Sequence, residues 1–212
     1  IPVAIDSTYS SGYLLHPMKL GVDIVVIAAT KYLSGHSDVT MGAVIINEKE
    51  WKNFDKLPEI FGFTASPDDA YLVLRGIRTL GVRFREHERS AKKVVEFLQG
   101  RKEIKTIFYP TLKTHPNHDI FMRDHLGANG MITIEFNDGI SKESAIKFVD
   151  DLELFSIGAS WGGYESLATV TVPPRTASDW SKRGPFVRFH IGLEDASDLI
   201  ADLTQALDKI SK

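Results

Sequence analysis

An α/β fold is predicted, a large domain on a mostly parallel sheet followed by a smaller α+β domain, and three observations predict it. At 212 residues and 43% hydrophobic, the chain can bury a substantial core. Two short segments rich in β-branched residues lie about one βα crossover apart near its start, the spacing of neighbouring parallel strands. From about residue 100 short strands alternate with short helices, the texture of an α+β unit. The expected division is residues 1–98 for the large-domain part and 99–212 for the small domain.

The elements follow in order. "PVAID" (2–6) and "DIVVIAA" (23–29) are the parallel pair, and "GAVIIN" (42–47) is a third strand. "IPVAIDSTYS" reads as a core strand rather than a frayed, polar end, so a preceding segment of a longer polypeptide is expected. "EKEWKNF" is expected to be helical. "SPDDAYLVLRGIRTLGVRFREHERSAKKVVEFL" opens with Ser66 as a cap, Pro67 at the first helical position and Asp68 and Asp69 in the first turn. It predicts a long helix, loosened at Gly76 and Gly81. "IKTIFYP", "HDIFMRDHL", "MITIEFND" and "KESAIKFVDDL" make up the alternating part. "FVRFHIGL" (186–193) alternates with period two, and Leu199, Ile200, Leu203, Ala206, Leu207 and Ile210 recur at helical spacing. "KTHPNH" and "VPPRTASDWSKRGP" are read as loops.

Composition narrows the function classes. With 25 Lys+Arg against 28 Asp+Glu the net charge is −3, and no basic run follows a phosphate backbone, so nucleic acid is not an expected partner. No stretch reaches a membrane span, and no signal peptide opens the chain. The absence of cysteine rules out disulfides and thiolate metal sites and suits a cytoplasmic location. His36 with Asp38, and His115 with His118, lack the spacing of a dedicated metal site, and no metal is expected.

The chemistry-bearing residues end the first strands. In parallel sheets ligands sit beyond the carboxyl ends of the strands. Asp6 closes the first strand and Lys31 follows the second, so both face one crevice. A plain salt bridge is the ordinary meaning of such a pair. Thr30 beside the lysine, the polar turn Gly35-His36-Ser37-Asp38, and the lack of any charge over residues 24–30 point instead to an amine nucleophile whose charged form is disfavoured. In "FVRFHIGL", Arg188 and His190 share one face of the strand. A planar guanidinium there could bind a carboxylate through two parallel hydrogen bonds, although a strand arginine is more often just solvated. "SWGGYESL" (160–167) taken alone is a tight turn bearing a core aromatic.

"AATKYLSGHSDVTMGAVI" with "AIDSTYSSGYLLHPMKLGVDI" ahead of it resembles the lysine segment of the Cys/Met metabolism family, the trans-sulfuration enzymes of fold type I, which depend on pyridoxal 5'-phosphate. The resemblance spans essentially the whole chain, as the C-terminal half or slightly more of a family member. It implies that Lys31 carries the cofactor, that Asp6 pairs with its pyridine nitrogen and that Thr30 bonds its phosphate. It also implies that Arg188 binds the substrate α-carboxylate, with Ser160 and Trp161 helping to position it. His190 gains no role from it and is read as structural. Two departures stand out: Ala28 where many relatives have Ser or Gln, and Asp6-Ser7-Thr8 where Asp-Asn-Thr is usual.

The activity implied is β-elimination of L-cystathionine to homocysteine, pyruvate and ammonia. Trp161 favours it, since γ-acting relatives more often carry a small aliphatic residue there. The alternatives are a γ-lyase, a γ-synthase or a methionine γ-lyase-like enzyme and, from another class, a non-catalytic piece that only builds the fold. Association as a homotetramer, with an N-terminal part of the same protein completing the site, is also implied by the resemblance.

Overall fold

The computed structural model describes residues 1–173, 175–180 and 183–210. The chain opens with β1 (Ala4–Asp6), β2 (Ile24–Ala28) and β3 (Gly42–Ile46), arranged as a three-stranded sheet in that order. β1 and β2 run parallel, with Ala4 opposite Ile24 and Asp6 opposite Val26, as their spacing predicts. The crossover between them is hydrogen-bonded turns and one 3-10 turn, Pro17–Leu20, which Gly21 ends at φ +89°. β3 is antiparallel to β2, with Ala28 opposite Gly42. The reason is local: Thr30 N donates to Met41 O at 3.1 Å, so residues 29–41 return the chain to the end of the sheet it has just left.

Next come α1 (Glu48–Trp51), α2 (Leu57–Phe61), α3 (Pro67–Ile77) and α4 (Leu80–Gln99). Asn47 caps α1 and Ser66 caps α3, each side chain accepting the backbone N–H three residues on. The single long helix expected over 66–98 is two helices, and the break falls at Arg78 and Thr79 rather than at the glycines. Gly76 O accepts from Thr79 N at 3.0 Å, Thr79 Oγ1 at 3.1 Å and the Arg83 guanidinium at 2.8 Å. A carbonyl so occupied ends its helix.

The remaining elements are β4 (Ile104–Phe108), α5 (His118–Asp124), β5 (Met131–Phe136), α6 (Lys142–Asp150), β6 (Ser156–Ile157), β7 (Leu167–Thr171), β8 (Phe186–His190) and α7 (Ala196–Ile210). They build a five-stranded sheet ordered β4-β5-β8-β7-β6, antiparallel except for β6 against β7. β6 and β7 are not among the strands the sequence predicts. Helices α4, α6 and α7 pack together on this sheet. Phe136, Phe148, Val187, Phe189, Leu199 and Leu203 fill the core between them. The buried Asp202 carboxylate accepts from the backbone N–H groups of Glu153 and Leu154, fastening the end of α6 to α7. The segment 172–185 carries no regular structure in its described residues, and Pro174, Ser181 and Lys182 of the expected loop lie outside them. Among the described residues no helix is long and apolar enough to cross a membrane.

Alternation along β8 sorts its side chains. Val187, Phe189 and the following Ile191 join the helix-covered core, which leaves Arg188 and His190 on the opposite face. That face meets the turn after β2, where Leu14, Tyr32, Leu80 and Phe84 form a second cluster with Leu33 and Trp161 packed against it.

Candidate active site

Because β1 and β2 are parallel neighbours, the residues that leave their carboxyl ends emerge side by side. Asp6 Oδ1 accepts from Thr8 N at 2.8 Å and Thr8 Oγ1 at 2.6 Å, and these two bonds hold its carboxyl below the usual carboxylate range. Thr8 Oγ1 in turn accepts from Ala28 N at 2.9 Å, tying the Asp6 turn to the end of β2. Both bonds fall on Oδ1, and Oδ2 has no hydrogen-bond partner among the described residues. Asp6 also borders a cavity of about 380 Å³ between the chain after β1 and the segment 109–129, a cavity whose lining does not include Lys31.

The turn from Lys31 to Asp38 is built for close approach. Lys31 O accepts from Gly35 N at 2.9 Å, and Gly35 has φ +71°. A Cβ on Gly35 would lie 2.0 Å from Arg83 Nη1. The Arg83 guanidinium, 5% exposed, donates to Tyr32 O at 2.8 Å and bridges to Gly76 O at 2.8 Å, so it fastens the turn to the end of α3. Ser37 takes φ +58°, an uncommon value for a residue with a side chain, and its Oγ donates to Glu165 Oε1 at 2.8 Å. The polar turn therefore holds one loop and reaches for another.

That other loop is residues 159–166. Lys31 Nζ donates to Ser160 Oγ at 2.8 Å and lies 5.3 Å from the centre of the Trp161 ring. Tyr9, three residues past Asp6, stacks on the other partner of this group, its ring 4.4 Å from Trp161 and parallel within 5°. Arg188 Nη2 donates to Ala159 O at 2.5 Å. Burial and then the nearby Arg188 charge push the Lys31 amine below the ordinary lysine range. Lys31, Ser160, Trp161 and Arg188, spread over 31 to 188, thus form one group, with Asp6 on the adjacent strand end.

Beneath the loop lie two buried histidines. His87 Nδ1 donates to Ile191 O at 2.8 Å, and the rings of His87 and His190 are 5.2 Å apart. Burial lowers them to about 4 for His87 and about 3 for His190, so both are neutral near pH 7. The unfolded chain binds protons at these rings below about pH 6.5 and the native protein does not until much lower. Stability is therefore full above about pH 6.5 and is lost as the pH falls from there. Each ring should cost roughly 2 kcal/mol between pH 6.5 and 5. Urea titrations at pH 7.5 and pH 5 check this, and equal midpoints would rule it out.

The model of the family described as "Cys/Met metabolism PLP-dependent enzyme" matches residues 1–208. This chain belongs to that family. Among similar curated proteins are the cystathionine beta-lyase of Bordetella avium, 44% identical over 98% of this chain and 53% of its own length, and the L-methionine gamma-lyase of Fusobacterium nucleatum subsp. polymorphum, 38% identical over 98% and 54%. Of the solved structures, cystathionine gamma synthase from Xanthomonas oryzae pv. oryzae superposes with TM-score 0.89 at 32% identity, over 99% of this chain and 56% of that one. The chain thus spans about half the length of the relatives it matches.

The family's description names pyridoxal phosphate, and the groups present fit it. The Oδ2 of Asp6, which has no hydrogen-bond partner among the described residues, suits a pyridine N–H, and Lys31 offers an amine with its charged form disfavoured. Thr30 is otherwise engaged, since its hydroxyl donates to Met41 O at 3.2 Å and accepts from Met41 N at 3.0 Å. The donated bond is long for a hydroxyl, so the proton is weakly held. Sequence reasoning misses the contribution of Ser37, Glu165, Arg83 and His190. Of these, Ser37 carried a signal through its place in the polar turn, and His190 through its place on the Arg188 face of β8.

Proposed function

We propose that the protein is a carbon–sulfur lyase that uses pyridoxal phosphate to cleave L-cystathionine by β-elimination, L-cystathionine and water giving homocysteine, pyruvate and ammonia. The observation that carries this reading is the Lys31 amine held 2.8 Å from Ser160 Oγ beneath Trp161, across 129 positions of sequence. The similarity to a protein named cystathionine beta-lyase, at higher identity than to the γ-acting proteins above, supports β-elimination.

Each side chain then has a task. When bound, pyridoxal phosphate supplies an electron sink for negative charge at the substrate α-carbon. Asp6, kept ionised by the Thr8 bonds, would hold the pyridine nitrogen protonated. Lys31 would hold the cofactor, and its amine, with a lowered pKa, is suited to take a proton from the substrate α-carbon. Arg188 binds the substrate α-carboxylate as a two-pronged donor, with Ser160 beside it and Trp161 walling the site. Thr30 would hold a phosphate oxygen through its hydroxyl, in exchange for the long bond to Met41 O.

The same proposal covers the organisation of the protein: residues 1–98 as the last part of a cofactor-binding large domain, and 99–212 as a small domain. It includes a preceding segment that completes the site, as the half-length coverage of relatives supports, and a cytoplasmic homotetramer. The second reading is γ-elimination or γ-replacement, which the similarity to a methionine gamma-lyase and a cystathionine gamma synthase favours. Product analysis with L-cystathionine separates them. Pyruvate and homocysteine are expected, whereas 2-oxobutyrate and cysteine as the main products would overturn β-elimination.

A further inference from the structure

His190 lies two residues beyond Arg188 on β8, 1% exposed, with its ring against Tyr32 and His87. Its Nε2 is 3.1 Å from Gly162 N and 3.1 Å from Gly163 O. In one neutral tautomer it accepts the Gly162 N–H, and in the other it donates to the Gly163 carbonyl. Either way it fastens the same dipeptide. Gly162 has φ +86°, and a Cβ there would lie 2.9 Å from Tyr32 N, 3.0 Å from Lys31 C and 3.1 Å from Lys31 Cβ. The dipeptide is therefore pressed onto the backbone of Lys31 itself. Immediately before it come Trp161, 5.3 Å from Lys31 Nζ, and Ser160, which accepts from that nitrogen.

We infer that His190 is a positioning residue: through the Gly162-Gly163 backbone it sets where Ser160 and Trp161 stand over Lys31, and so sets the surroundings of the reacting amine and of the substrate carboxylate. The bond from the Gly162 N–H requires a neutral ring with a free Nε2 lone pair, whereas the bond to the Gly163 carbonyl requires only a proton on Nε2. Burial keeps the ring neutral, lowering it to about 3, with the His87, Arg188 and Lys31 charges acting in the same direction. A ring of the same volume without the nitrogen would fill the core equally well and leave the dipeptide unheld.

This assignment rests on Lys31 being the reacting amine, so its test has one arm that needs neither cofactor nor substrate. In the intact protein stripped of pyridoxal phosphate, the pH dependence of Lys31 acetylation, read by peptide mapping, reports how desolvated the amine is. His190→Phe should raise the apparent pKa of Lys31 toward that of an exposed lysine, and His190→Gln, whose amide reaches the dipeptide, should restore it. In the holoenzyme, His190→Phe should lower kcat/KM by about tenfold, the worth of one buried hydrogen bond, mainly through KM. An unchanged Lys31 titration in His190→Phe, or a Gln variant no better than Phe, would overturn the assignment. Should His190→Phe not fold, Gln and the shorter Asn decide it: Gln must keep the lowered titration and Asn must lose it. If the unmodified holoenzyme releases no keto acid, the lyase reading falls while the acetylation comparison still judges His190.

Discussion

Lys31→Ala should lower turnover of L-cystathionine by at least about 10³-fold, the scale on which a positioned acid–base group and an attached nucleophile contribute. The effect is expected to be chemical and not structural. The side chain is half-buried, and its only hydrogen bond among the described residues is the one from Nζ to Ser160 Oγ. The backbone bonds that shape the turn, Gly35 N to Lys31 O and Ser34 N to Ala29 O, do not involve it. Steady-state keto-acid release gives the rate, and borohydride reduction followed by peptide mapping should place a pyridoxyl group on Lys31 in the unmodified protein and nowhere in the variant. A variant that folds and keeps more than a tenth of the activity would remove Lys31 from the chemistry. An unmodified protein that forms no adduct with pyridoxal phosphate supplied would favour a purely structural role for the chain.

Gly76→Ala should lower stability by about 2 kcal/mol or more. Alanine is worth nearly 1 kcal/mol more than glycine in a helix interior, so propensity alone predicts the opposite sign. Packing decides otherwise. A Cβ on Gly76 would lie 2.2 Å from Ser34 O and 2.5 Å from Leu33 O, and both are backbone atoms that cannot turn aside. α3 must move off the Lys31 turn, and the Arg83 guanidinium that bridges Gly76 O to Tyr32 O loses one of its ends. Gly139, where a Cβ meets nothing within 4 Å, supplies the control, and Gly139→Ala should change stability by less than about 0.5 kcal/mol. Urea midpoints of the two variants test this, and a Gly76→Ala protein as stable as the parent would show that α3 does not bear on the turn as tightly as the geometry requires.

Both effects act on a few residues around one turn, the part of the molecule the sequence exposes most clearly at its start and least clearly at its end. The run "DIVVIAA" followed by an isolated lysine marks a strand and the residue leaving it, because β-branched periodicity is a local property. The spacing to "PVAID" indicates a parallel neighbour and so places Asp6 and Lys31 at one end of the sheet. Period two in "FVRFHIGL" puts Arg188 and His190 on one face. The polar turn Gly35-His36-Ser37-Asp38 is visible as a turn, but its purpose is not. Gly35 makes room for Arg83, 48 positions on, and Ser37 reaches Glu165.

By itself, then, the sequence determined the strands β1, β2, β3, β4, β5 and β8, the capped start of α3, the parallel pair and the residue types at the strand ends. These are set by side-chain periodicity, caps and connection length, each of which acts within a few positions of its own residue. Tertiary structure alone decided that β3 returns antiparallel, that the long helix breaks at Arg78 and Thr79, and that residues 159–166 close over Lys31 with His190 holding them. Each of those outcomes depends on a carbonyl, an N–H or an amine finding its partner from elsewhere in the chain: Met41 O for Thr30 N, Arg83 for Gly76 O, Ser160 for Lys31 Nζ, His190 for Gly162 N. A backbone group has the same chemistry at every position, so no residue type announces which partner it will meet; only the packed fold chooses.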